Sequence, residues 1–206
     1  MAQDQRLELR WATPDHGTLP IGEALEMSEA TGLSEIDIAE ISERFPADAI
    51  LTAEVSSQGR GASGPAIAVV VQLERIGTDA ASLIAIGGAL RELVRRVRRK
   101  FGRDPTIEDP MSLGALAASG CDSELTGMRY ISTVPITAYP GVGTNWNDVW
   151  AACFKEPEEA GAATVIFISP SGTCLGVVRV PIEVYRGKDG PTRRSPEEIQ
   201  GWWTEG

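Results

Sequence analysis

The chain has 206 residues, of which 42% are hydrophobic and 23% charged, proportions that suit a globular protein and exclude a collagenous or wholly disordered one. Nineteen Lys and Arg stand against 29 Asp and Glu, so the net charge is 19 − 29 = −10. That balance works against non-specific nucleic-acid binding by the molecule as a whole.

MAQDQRLELRW opens the chain with charge and no apolar core, so no secretory signal is expected there. Leu7, Leu9 and Trp11 alternate with charged residues and predict a half-buried strand over Arg6–Trp11. The spacing next predicts two short helices. The first spans Pro20 to Ala30, with Pro20 in its first turn and Gly32 as its stop. The second spans Glu35 to Arg44, capped by Ser34 with Asp37 in the capping-box position.

Ala49–Ser56 reads as a second strand. Ala66–Ile76 (AIAVVVQLERI) fits a strand by its valines and a helix by its Pro65 start and late polar residues. We take it as a helix, forming a helical hairpin with the segment after Thr78–Asp79. The apolar stretch from Pro65 to Leu90 is long, but Glu74, Arg75 and Asp79 interrupt it, so no transmembrane span is expected.

Asp79–Arg103 carries the strongest pattern. Leu83, Ile86, Leu90, Leu93 and Val97 recur at spacings of 3, 4, 3 and 4, an apolar seam at heptad spacing. Off that seam lie Arg91, Arg95, Arg96, Arg98, Arg99 and Lys100, with Arg103 beyond. Against the single acid Glu92, residues 80–103 hold 7 − 1 = +6, so the rest of the chain holds −10 − 6 = −16. Such segregation of sign is a statement about partners.

Residues 104–127 are linker-like, punctuated by Asp104–Pro105 and Asp109–Pro110, with one short helix over Met111–Ala118. Four strands are then predicted: Arg129–Ala138, Val149–Lys155, Thr164–Ser169 and Thr173–Val180. Ser169-Pro170-Ser171-Gly172 joins the last two in an antiparallel meander. Ser195, Pro196 and Glu198 mark a final helix ending in Trp202–Trp203.

Catalytic grammar is sparse. Gly59-Arg60-Gly61-Ala62-Ser63-Gly64 fits a dinucleotide-binding spacing, but the strand before it contains Thr and Glu and no complete βαβ unit follows, so it reads as a turn. The one histidine, His16, sits in a polar loop. Cys121, Cys153 and Cys174 are three thiols with no C-x-x-C, as suits a reducing cytosol, and they read as buried and inert. No catalytic residue, metal site or cofactor is assigned. Trp146, Trp150, Trp202 and Trp203 are candidates for an aromatic surface, with core packing as the plainer reading.

The expected fold is α+β. An N-terminal region of strands and helices with the helical hairpin (residues 1–103) and a linker-like region (104–127) precede an antiparallel meander closed by a C-terminal helix (128–206), as two small domains or one composite domain. The expected function is a non-enzymatic, cytoplasmic protein-interaction or assembly module, such as an accessory or immunity-like subunit of a bacterial system. Its partner is an acidic protein surface or another copy, and the Glu-rich N-terminal helices are one such surface. The alternatives are nucleic-acid or anionic-membrane binding through the arginine helix, which the −16 remainder disfavours, and an enzyme built on carboxylates or His16.

Overall fold

The computed structural model describes residues 5–12, 20–57, 65–136, 149–157, 162–181, 186–187 and 190–191. The fold is α+β, with two antiparallel four-stranded sheets. The first contains β1 (Gln5–Ala12), β2 (Ala24–Leu25), β3 (Ile50–Ser57) and β4 (Pro65–Leu73), in the order β1-β4-β3-β2.

The helical hairpin is corrected by β4. Residues 65–73 form a strand that pairs with β1 on one side and β3 on the other. The reason is burial on both faces. Val69, Val71 and Leu73 enter the main core with Leu7 and Leu9 of β1. Ala68 and Val70, one position out of phase, are equally buried. Their neighbours in register are Glu8, Arg10, Thr52 and Glu54. Ion pairs of Arg6 with Glu8 and Glu54, and of Arg10 with Glu8, join the charged residues of β1 and β3. Long charged side chains cover apolar surface with their stems. A strand buried on both faces loses its polar alternation, and its sequence then resembles that of a buried helix.

The first predicted helix is also shortened. Only α1 (Met27–Thr31) winds. Gly22 adopts φ 87°, its amide donates to the Val55 carbonyl, and the Val55 amide donates to the Glu23 carbonyl. This pairing draws residues 22–25 onto β3 as a strand edge. Gly32 stops α1 at φ 63°. The next helix, α2 (Glu35–Ser42), begins with the full capping box: the Ser34 hydroxyl accepts from the Asp37 amide, and Asp37 accepts from the Ser34 amide.

α3 (Ala80–Phe101) is the long helix. The Asp79 carboxylate accepts from the Ser82 amide at its start, and Gly102 closes it. α4 (Pro110–Gly120) begins with Asp109 accepting from the Ser112 amide. Residues 112–118 of α4 are buried all round, as expected of a helix between other elements. It contacts α3, and also β5, β6 and β7 of the second sheet.

That sheet is the predicted meander: β5 (Arg129–Ile136), β6 (Val149–Lys155), β7 (Ala162–Ile168) and β8 (Cys174–Pro181), in sequential order. The Gly172 amide donates to the Ser169 carbonyl in the β7–β8 turn. A short pair, β9 (Arg186–Gly187) and β10 (Gly190–Pro191), follows. One buried cluster contains residues of β1, β4, α3, α4, β6 and β7. No helix among the described residues is long and apolar enough to cross a membrane. The predicted C-terminal helix lies outside the described residues.

Candidate functional site: the cationic helix

Two faces of α3 have different fates. Leu83, Leu90, Leu93 and Val97 are fully buried and Ile86 is 2% exposed, all within the main cluster. The heptad seam is therefore occupied inside the chain. Part of its closeness comes from Gly87. A Cβ there would lie 1.9 Å from the Ala115 carbonyl oxygen, so α3 and α4 meet backbone to backbone at this crossing. Gly88, its neighbour, faces open space.

The cations divide into anchors and an exposed ridge. Arg91 is an anchor to α4. Its Nη2 donates to the Leu116 carbonyl at 2.9 Å and its Nε to the Ser119 hydroxyl at 2.6 Å. Arg96 is an anchor to α2. Its Nη1 reaches Asp37 at 2.5 Å, its Nη2 reaches Glu40 at 2.6 Å, and its Nε reaches Glu92 at 2.7 Å. Only 13% of the Arg96 side chain is exposed. Guanidinium geometry suits such multiple contacts, since its donors form a rigid planar fork.

Glu92 lies between two arginines. Arg95 donates to both of its oxygens, Arg96 donates to one, and the pair holds its carboxyl down to about 2. At 9% exposure this side chain needs those partners. Arg95 itself remains 65% exposed. Arg98 is 63% exposed and pairs with Asp104 at 3.2 Å. Arg99, Lys100 and Arg103 are exposed, and no ion pair joins them to another described residue.

Arg95, Arg96 and Arg98 pair with Glu92, Asp37, Glu40 and Asp104, so the seven cations and these four acids together hold 7 − 4 = +3. The remaining positive charge lies at the C-terminal end of α3. Arg98, Arg99 and Lys100 occupy the last turn, where cations also stabilise the helix dipole.

Of the aromatic candidates, Trp150 lies on β6, half-buried against the main cluster. Trp146, Trp202 and Trp203 lie outside the described residues, as do His16 and the Gly59–Gly64 turn. Among the described residues no group of three or more His, Cys, Asp or Glu side chains is placed to hold a metal ion. Three residues gain importance from the structure. Glu92, a single acid among arginines in the sequence, organises Arg95 and Arg96. Cys121 and Cys174 come within contact distance, and no motif links them across 53 residues.

Comparison of the chain with protein-family models, curated proteins and solved structures finds no match to any of them.

Proposed function

We propose that the protein is a non-enzymatic interaction or assembly module that docks an acidic protein surface, including one on another copy of itself, through the C-terminal half of α3. The carrying observation is the division of labour among the cations. Arg91 and Arg96 fix the helix to α4 and α2, while Arg95, Arg98, Arg99 and Lys100 stay exposed along the solvent side. A cationic ridge on an anchored helix is pre-organised, so docking orders few additional groups. The rest of the chain is strongly acidic and supplies the complementary sign for a second copy. With the seam buried, recognition rests on the charged ridge alone. The same acidity repels a polyanion, which favours a protein partner over nucleic acid or an anionic bilayer.

The test compares the full chain with its Arg95→Glu/Arg98→Glu/Arg99→Glu variant. Salt-sensitive retention of a protein partner or a second copy should be lost in the variant. Neither duplex DNA nor anionic vesicles should be retained by the wild type at low salt. Equal protein retention by both chains would overturn the reading. Salt-steep retention of DNA would assign the ridge to nucleic acid instead.

A further inference from the structure

Cys121 follows α4 at its C-terminal cap, and Cys174 is the first residue of the edge strand β8. The fold brings their sulfurs to 3.6 Å. Both side chains are partly exposed and border the main buried cluster. A disulfide holds its sulfurs at about 2.05 Å, so this pair has to close by only about 1.5 Å. Cys153 lies on β6 and has no sulfur contact among the described residues.

We infer that Cys121 and Cys174 form a reversible thiol–disulfide site that clasps the end of α4 to the edge of the second sheet. The oxidant is a low-molecular-weight disulfide of the glutathione class. One protein thiolate attacks a sulfur of the oxidised glutathione, forming a mixed disulfide and releasing one glutathione thiolate. The second protein thiol loses its proton and attacks the protein sulfur of that mixed disulfide. The Cys121–Cys174 bond forms, the protein–glutathione bond breaks, and the second glutathione thiolate leaves. The protein gives up two electrons and two protons in all, and one glutathione disulfide becomes two thiols.

The surroundings set the rate. Burial and the neighbouring Cys174 push the Cys121 thiol up to about 11, against a favourable contribution from the Arg91 guanidinium. Attack by Cys121 therefore accelerates as pH rises, because the thiolate is the attacking species. The clasp acts on α4, the helix to which Arg91 fastens α3. Its state tunes the rigidity of that support, independently of the role proposed for the cationic ridge.

The full chain is incubated with oxidised glutathione, acid-quenched, alkylated and peptide-mapped. The expected product is a single chain with a Cys121–Cys174 cross-linked peptide, reversed by dithiothreitol. The Cys153→Ser variant should form the same cross-link, and Cys174→Ser should form no intramolecular disulfide. The thermal midpoint of the oxidised wild type should exceed that of the reduced form. Persistence of both thiols at Cys121 and Cys174, a bond to Cys153, or a disulfide between two chains would each overturn the inference. The wild-type map decides the matter even where a variant folds poorly.

Discussion

The Asp37 carboxylate does two jobs at once: one oxygen accepts from Ser34 to close the capping box of α2, and the other binds Arg96 of α3 at 2.5 Å. Helix start and helix–helix contact therefore share one side chain. Asp37→Ala removes the carboxylate arm of the capping box and the bridge together, whereas Glu40→Ala removes only one arm of Arg96. In urea unfolding the midpoint should fall further for Asp37→Ala than for Glu40→Ala, and equal midpoints would argue against the shared role.

Glu92 gives stability a pH dependence. Its carboxyl is held at about 2 in the folded chain, against an ordinary value of 4.5. A depressed folded value stabilises the native state above the unfolded value and loses that contribution as pH falls through the folded one. Stability should decline between about pH 4.5 and pH 2. Glu92→Gln should flatten that part of the profile and lower neutral-pH stability by roughly 1–3 kcal/mol. Denaturant titrations at stepped pH measure both effects.

Adjacent glycines of α3 should respond in opposite directions. Gly87→Ala drives a methyl into the Ala115 carbonyl, a backbone atom with little room to yield, and should cost about 2–4 kcal/mol. Gly88→Ala meets open space and should stabilise the helix by about 0.5–1 kcal/mol. Thermal unfolding of the two variants decides this without reference to any partner.

The heptad seam should behave as core. Leu90→Ala is expected to destabilise the single chain by about 2–5 kcal/mol, since the side chain is fully buried within its own fold. Arg99→Ala should change stability by no more than about 0.5 kcal/mol. A dilution-dependent unfolding midpoint that vanishes in Leu90→Ala would instead mark the seam as an interface between chains.

Local rules carried much of the fold. Asp79 and Gly102 bound α3, Ser34 and Asp37 begin α2, and Ser169–Gly172 turns β7 into β8, each through contacts within a few residues. Long-range contacts decided the rest. β4 looked helical because it is buried on both faces between β1 and β3, and that pairing is invisible within residues 66–76. Residues 22–25 left their predicted helix because β3 pairs with them, some 30 positions later in the chain. At the site, the sequence showed the cationic side of α3 and the acidic N-terminal helices, of which α2 meets it. It did not show that Arg96, rather than Arg95 or Arg99, makes that crossing over 59 residues. Nor did it show that α4 covers part of the seam, because an all-apolar 11-residue helix has no preferred side.

The most direct test of the account is the native mass of the purified full chain at low salt, measured by sedimentation velocity beside Arg95→Glu/Arg98→Glu/Arg99→Glu. The wild type should sediment above the 22.0 kDa of a single chain, as a self-assembly or with a co-purifying acidic protein, and the variant should return to that mass. A wild type already at 22.0 kDa with nothing bound, or a variant that keeps the same assembly, would contradict it.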